Sequence, residues 1–263
     1  NNVLPSRNQG LSGRATYDYD QRYLFEFNFG YNGTERLGKG DRFEFFPAVS
    51  LGWLVSNEKF FEPLSDVVSS LKLRGSYGLV GSDETGPSNA PHFLYIDQVQ
   101  VTGNGRPGFT TGENLNVSYY GPVVQQWAVQ NGGWERVKKL DVGFDMELFR
   151  ELSITFDFFY DKRYNILLHR EAWPQSLGFH EAKPWSNKGK VDNWGYEVST
   201  NWRKQFTKDL TVDFRGTFTY TQNKYIDVDE PIYPYVWQTA TGKPLNRRNG
   251  YIAEGLFQSQ EEI

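Results

Sequence analysis

Large apolar side chains recur at every second position along most of the chain, with small or polar residues between them. This is the two-residue period of a strand that has one apolar face. From Tyr23 the apolar set is Tyr23, Phe25, Phe27, Phe29 and Tyr31, alternating with Leu24, Glu26, Asn28, Gly30 and Asn32. Ile154, Phe156, Phe158 and Tyr160 alternate with Thr155, Asp157, Phe159 and Asp161, and Leu140, Val142, Phe144, Met146 and Leu148 with Asp141, Gly143, Asp145 and Glu147. The same register runs through Leu71 to Leu79, Trp194 to Arg203 and Leu210 to Tyr220. With Leu11 to Tyr19 and Phe43 to Val55 added, the pattern predicts about eight strands, several longer than the roughly 5 to 6 residues common in globular sheets.

That length matters because a strand tilted by about 45° crosses the hydrocarbon layer in roughly 9 to 11 residues. The links carry a second regularity. Asp18 to Gln21, Arg150 to Leu152 and Lys204 to Asp209 are tight turns, whereas Glu35 to Arg42, Gly81 to Gly133, His169 to Ser186 and Ile226 to Gly250 are long. In an up-and-down antiparallel barrel alternate links share a rim, so the reading is one rim of short periplasmic turns and one of long extracellular loops. Ser56 to Ser70 breaks the alternation; its spacing of Phe60, Phe61, Leu64, Val67, Val68 and Leu71 predicts a short amphipathic helix across the short rim.

Composition narrows the classes. The 263 residues are 38% hydrophobic, and aromatics are 17% of the chain, so aliphatic bulk is scarce. With 28 basic and 32 acidic side chains the net charge is −4, which supplies no field for binding nucleic acid. Mean hydropathy is −0.63, far from that of a helical membrane protein, but alternating barrel strands average out in such an index. The absence of cysteine excludes disulfides, thiol nucleophiles and thiolate metal sites. The residues after Asn1 lack the charged and apolar regions of a signal peptide, so the reading is a cytosolic protein or a piece of a longer one. A soluble β-sandwich also alternates apolar and polar positions. Against it stand Tyr17, Tyr19, Trp53, Tyr160, Tyr164, Trp194, Trp202 and Tyr220 near strand ends, where an interfacial girdle needs rings. Arg14, Lys72, Arg74, Asp141, Asp145, Asp157, Asp213 and Arg215 share the polar face and suit a hydrated lumen, as they would suit a solvent face.

No catalytic constellation stands out, and no cofactor or metal is expected. Gly103 to Gly108 matches a dinucleotide-binding glycine pattern letter for letter, but lies in a long loop with neither the strand before it nor the helix after it that the pyrophosphate needs. His92, His169 and His180 are scattered and read as solvated loop histidines. Asp227, Asp229 and Glu230 lack the glycine turn of a calcium loop and read as a charged loop. What remains is aromatic loop chemistry: Tyr119, Tyr120, Trp127 and Trp134 in one link, Trp173 and Trp185 in another, and Tyr233, Tyr235 and Trp237 in a third, near amides such as Gln125, Gln126, Asn131 and Gln238. Rings beside amide donors suit sugars or peptides, although such rings also pack loop against loop. Tyr119, Tyr120 and Trp127 are the first candidates for ligand contact, with Trp173 and Trp185 next.

Ordered motifs carry a resemblance. Leu11-Ser12-Gly13-Arg14-Ala15-Thr16-Tyr17-Asp18-Tyr19-Asp20, followed by Arg22-Tyr23 and the Phe-rich strand to Asn32-Gly33, resembles a barrel segment of the SusC/RagA branch of TonB-dependent outer-membrane transporters. Phe45-Phe46-Pro47-Ala48-Val49-Ser50-Leu51-Gly52-Trp53 and Leu71-Lys72-Leu73-Arg74-Gly75-Ser76-Tyr77-Gly78 continue it. So do Trp134-Glu135 ahead of Leu140 to Asp145, Tyr160-Asp161-Lys162-Arg163, the Asn187 and Gly189 pair, the Asn193, Gly195 and Glu197 set, and Gly255 to Glu262. The resemblance covers most of the chain outside Gly86 to Gln130 and Ile226 to Gly250. It implies that residues 1–263 are part of a larger barrel of about 22 strands. No plug domain, no TonB-contacting segment and no terminal barrel strand is recognised.

The family implies a non-enzymatic role, the import of a bulky oligosaccharide or peptide across a bacterial outer membrane. A SusD-like surface lipoprotein would cap the barrel and TonB would displace the plug. Two other classes remain at this point, a soluble β-sandwich carbohydrate-binding module and a passive porin-like barrel. Strands of ordinary length would favour the first; the second gives no reason for the ordered motifs.

Overall fold

The computed structural model describes residues 7–84, 93–101, 109–119, 121–129, 132–174, 176, 183–248, 250, 251, 253, 255 and 259. The glycine pattern at 103–108, Tyr120, His92 and His180 lie outside them. Strands β1 (Asn8–Tyr19), β2 (Tyr23–Thr34), β3 (Phe43–Leu54) and β4 (Val68–Ser82) form in chain order. Four short strands, β5 (Gln98–Gln100), β6 (Phe109–Thr111), β7 (Val117–Tyr119) and β8 (Val123–Gln126), lie in the link that follows. β9 (Glu135–Leu148), β10 (Leu152–His169), β11 (Trp185–Gln205) and β12 (Thr211–Asp227) complete the set. The eight long strands pair antiparallel in the order β1-β2-β3-β4-β9-β10-β11-β12, each beside its predecessor among the long strands. The outer edges of β1 and β12 have no partner strand among the described residues, so the sheet is an unclosed part of an up-and-down barrel.

The tight turns follow from backbone conformation. Asp20 and Gln21 between β1 and β2, and Phe149 and Arg150 between β9 and β10, all have φ between 52° and 56°. Two consecutive left-handed residues make the hairpin turn whose twist matches that of the flanking strands. Asp18 Oδ1 secures the first turn by accepting from the Gln21 N–H at 2.9 Å. The link between β3 and β4 on this rim differs from expectation. In place of one short amphipathic helix there are two 3-10 turns, Val55–Asn57 and Lys59–Leu64, and Val68 and Leu71 already belong to β4. Two features explain it: Pro63 supplies no N–H, and so short a segment gains too few i to i+4 bonds to offset helix nucleation. Glu58 ties this link to the sheet, accepting from Tyr23 Oη at 2.7 Å and Trp53 Nε1 at 3.1 Å. These two bonds, the Tyr23 one foremost, together with the nearby Arg22 charge outweigh burial and hold the Glu58 carboxyl below its ordinary pKa.

Register lines the apolar positions up across the whole sheet. One row reads Phe25, Leu51, Gly75, Val142, Phe158, Tyr196 and Tyr220; the row beside it reads Tyr23, Trp53, Leu73, Phe144, Phe156, Val198 and Phe218. Neighbouring rings stack along these rows, as in Phe144–Phe156 at 5.6 Å and Tyr196–Tyr220 at 5.4 Å between centroids. On β9 the apolar run from Leu148 to Leu140 ends at Lys138. Eight residue steps span about 27 Å along the strand, or about 20 Å of membrane at a tilt near 40°, close to the roughly 25 Å band of outer-membrane barrels. At one margin of the sheet Tyr19, Tyr23, Trp53 and Phe60 form a continuous set of ring contacts.

The opposite face is polar and cross-linked. Arg74 on β4 pairs in register with Gly143 on β9, and Gly143 with Asp157 on β10. With no side chain at Gly143 in the way, the Arg74 guanidinium reaches over β9 to Asp157 at 2.6 Å, and lies 3.3 Å from Asp145 and 3.4 Å from Asp141. A Cβ at Gly143 would collide with the Asp157 carboxylate and the Phe156 carbonyl.

A sandwich would cover the apolar face with a second sheet. Here Leu51 is 60% exposed, Tyr77 54%, Val142 48% and Phe214 60%, and no large side chain among the described residues is fully buried. A groove of about 640 Å³ between Tyr23, Trp53, Leu73 and Phe144, over Gly75, opens on this same face. Val142 and Ser76 mark the two faces at similar depth, Ser76 pairing with Asp141 beside Val142. In the full-length protein Val142→Arg should cost about 2 to 4 kcal/mol of folding stability and Ser76→Arg much less, measured by urea titration in lipid vesicles. Equal losses at the two positions would contradict this assignment of faces.

Candidate functional site

The antiparallel order carries four links to one rim: residues 35–42 between β2 and β3, 83–134 between β4 and β9, 170–184 between β10 and β11, and the segment after β12. Among the described residues, the buried hydrophobic side chains other than Val55 and Phe61 cluster at this rim. Leu94, Val129, Leu167 and Trp185 form one cluster; Leu37, Phe46 and Trp134 form another, with Leu79 packed against it. Trp134 Nε1 also donates to the Arg42 carbonyl at 3.2 Å, which fixes the first link against β9. Between the clusters lies a cavity of about 150 Å³ lined by Leu37, Leu94, Val129, Leu167, Glu135 and Asn187, among others. The external links are therefore packed structures.

The longest link contains two small ribbons, β5 with β8 and β6 with β7, which its richness in Gly, Pro and Asn concealed. Gln126 is buried, its Nε2 donating to the carbonyls of Phe93 and Ile96, both at 3.1 Å. Ala128 N–H donates to Asp97 Oδ1 at 2.6 Å and Val129 N–H to the Leu94 carbonyl at 2.7 Å. Trp127 is thus held on a backbone fixed on both sides, and its ring is 40% exposed. Tyr119 is 50% exposed and lies flat on Phe109 across the β6–β7 ribbon, centroids 4.8 Å apart and planes 13° apart. Trp173 is half-buried with the Arg170 guanidinium 5.2 Å from its ring centre. Trp185 differs from these: it is buried, sits in the first cluster and lies tilted against the His169 ring, so its ring packs loop against strand. His169 is likewise half-buried, with Nδ1 3.2 Å from the Lys183 carbonyl, and not the solvated histidine its sequence context suggests.

Two features of the rim had no sequence signal beyond a cluster of charges. Asp229, nearly buried, bridges neighbouring links by accepting from Arg170 Nε at 2.6 Å and Lys188 Nζ at 3.2 Å, while its carbonyl accepts from the Ala172 N–H at 2.8 Å. Glu230 accepts from the Ala240 and Thr241 N–H groups at 2.7 and 2.9 Å. Burial pushes the Glu230 carboxyl up, but these donors outweigh it and hold the pKa below the ordinary range. These acids are consumed in joining loops, and no metal-holding group of side chains occurs among the described residues.

Asp229→Asn removes the charge shared by Arg170 and Lys188 and should speed amide exchange at Ala172 and Trp173 by about ten-fold or more. Unchanged exchange there would show that the bridge does not hold the links together. Because the Glu230 pKa is depressed on folding, its carboxylate stabilises the last link at neutral pH, and this contribution is lost as pH falls below the ordinary glutamate value of about 4.3. Exchange at Ala240 and Thr241 should therefore rise below that pH in the wild type. In Glu230→Gln this acid-induced step should be absent.

Known proteins share this arrangement. The family model described as TonB dependent receptor-like, beta-barrel, matches residues 1–255. TonB-dependent receptor P39 of Formosa agariphila is 30% identical over 256 residues, which covers 95% of this chain and 22% of that protein. TonB-dependent receptor SusC of Bacteroides thetaiotaomicron is 29% identical over 213 residues, 81% of this chain and 20% of its own length. The chain thus spans about a fifth of these relatives. The solved RagAB peptide transporter superposes with a TM-score of 0.70 at 20% identity, covering 91% of this chain and 25% of that one. Strand order, the open apolar face and the family match agree: the chain belongs to the TonB-dependent receptor-like β-barrel family and forms part of a bacterial outer-membrane barrel.

Proposed function

We propose that the full-length protein is an active importer of a bulky nutrient of the SusC/RagA type, for which residues 1–263 supply barrel wall and external loops. The nutrient is an oligosaccharide or peptide; a SusD-like lipoprotein lies over the long-loop rim, and TonB drives release through regions beyond this segment. The observation that carries this reading is the asymmetry of the rims: tight turns and one 3-10 link on one side, and on the other long packed links that hold Trp127 and Tyr119 partly exposed on ordered backbone. Loops that retain a core while leaving rings open suit recognition of a solute. Within the links Tyr119, Trp127 and Trp173 are the proposed contacts, with Tyr120 beside Tyr119; Trp185 serves packing. No group on this segment needs to perform covalent chemistry, because selection is by binding and the energy of release enters elsewhere.

The test is uptake by cells expressing the full-length protein from a defined mixture of oligosaccharides and peptides, with and without a proton uncoupler. Import of a subset of the mixture that the uncoupler abolishes is expected; uncoupler-insensitive, size-limited entry would make the protein a passive porin. For the solute identified, Trp127→Ala and Tyr119→Ala should each weaken binding by about two- to ten-fold in calorimetric titration. The folded barrel yield should not change. Unchanged affinity in both variants would assign these rings to loop packing or lid docking.

A further inference from the structure

After β12 the chain turns back and bonds to the strand it has just left. Gly242 N–H donates to the Tyr225 carbonyl at 2.7 Å, Tyr225 N–H to the Lys243 carbonyl at 3.0 Å, and Leu245 N–H to Asn223 Oδ1 at 2.8 Å. At the tip, the 3-10 turn Val236–Gln238 is fixed from several directions. Lys243 Nζ donates to the Val236 carbonyl at 2.6 Å and Arg247 Nη2 to the Trp237 carbonyl at 2.7 Å. Gln238 N–H donates to the Tyr235 carbonyl at 3.0 Å. Glu230 holds the other limb of the loop through Ala240 and Thr241.

This order exposes its apolar groups. Tyr235 and Trp237 lie nearly parallel, centroids 5.8 Å and planes 14° apart, yet remain 59% and 67% exposed. None of the described residues covers this pair of large parallel rings on an ordered loop, and such a pair marks an interaction surface.

The charges around the rings are divided unequally. Asp229 is taken by Arg170 and Lys188, and both Glu230 oxygens by backbone N–H groups. Asp227 Oδ1 accepts from the Asp229 N–H at 3.1 Å. Lys243 and Arg247 form no ion pair among the described residues, and Arg248 stands exposed beside them. Desolvation, followed by the like charge of Arg247, lowers the Lys243 pKa, and the neighbouring Glu230 carboxylate offsets this only in part. An anion bound there would relieve that crowding.

We propose that Tyr235 and Trp237, with Lys243 and Arg247 beside them, form a binding platform for an acidic oligosaccharide, one bearing carboxylates or sulfates on its pyranose rings. The proposal rests on the import reading above and narrows its solute. A pyranose offers a flat C–H face to an aromatic ring, and its acidic substituent lies at the ring edge, within reach of cations carried on the same loop. An acidic peptide supplies the charge without the repeated flat face, so the parallel rings favour the sugar.

The experiment uses the purified full-length protein and four probes: a galacturonate hexamer, a chondroitin sulfate hexasaccharide, maltohexaose and hexaglutamate, titrated by calorimetry at low and high salt. At least one acidic saccharide should bind tighter than maltohexaose and hexaglutamate, with affinity that falls as salt rises. Trp237→Ala and Tyr235→Ala should each weaken it about two- to ten-fold, and Arg247→Gln should reduce its salt dependence, with normal folding shown by heat-modifiable electrophoretic migration. Failure of both acidic saccharides to bind, tighter binding of hexaglutamate, or affinity unchanged in both ring variants would overturn the platform. Maltohexaose binding that depends on Trp127 and not on Trp237 would overturn it while leaving the import reading intact; that reading falls only if uncoupler-sensitive uptake is absent.

Discussion

An apolar face that no other part of the described chain covers is the constraint on which the rest of this structure depends. Eight adjacent strands present rings and aliphatic side chains in register on one side, and none of the described residues folds over them. In water such a face would drive aggregation; in a bilayer its solvent is hydrocarbon, and the backbone polar groups are satisfied between strands. Strand length follows from the same constraint, as does the change from apolar to charged residues at Lys138 and Lys162 on the same face. There Lys138 and Lys162 rest over the rings of Tyr164 and Tyr160, which places cations at the level where apolar contact ends.

With its large face given to lipid, the chain makes its own cores elsewhere. One small core lies under the short rim, where Val55 and Phe61 are buried and Glu58 gathers Tyr23, Trp53 and Arg22. The larger ones lie in the long-loop rim, where Trp185 and Trp134 anchor two clusters and Asp229 ties the last link to its neighbour. Burial that a soluble domain would place between sheets is used here to stiffen loops. A stiff loop loses less entropy on meeting a solute, and that links this packing to the proposed role of the exposed rings.

The strands were legible because a half-covered sheet imposes a strict period of two, and a one-residue slip would carry every ring to the wrong face. Tight turns were legible from their length alone. The β3–β4 link reads as one short amphipathic helix because apolar spacing does not separate an α-helix from successive 3-10 turns; only Pro63 and the shortness of the segment do. Loop roles were less accessible. Trp185 and Trp127 look alike in sequence, yet one closes a core and the other is partly open, since the difference lies in contacts with Leu94, Val129 and Leu167 from distant segments. Asp229 looked like one more loop carboxylate; its partners, Arg170 and Lys188, come from an earlier link and from β11. The Arg74–Asp157 bridge depends on the missing side chain of Gly143, a pairing visible only once register is known.

The most direct test of the central claim is a nitroxide scan of β9 in the full-length protein reconstituted in lipid vesicles. Labels placed singly at Leu140, Asp141, Val142, Phe144 and Asp145, leaving Gly143 intact, would be read for collision with oxygen, which partitions into lipid, and with a water-soluble nickel chelate. The account predicts high oxygen accessibility at Leu140, Val142 and Phe144, and high chelate accessibility at Asp141 and Asp145, with a period of two. Protection of Leu140, Val142 and Phe144 from both reagents would mean that protein covers this face, and would contradict the account.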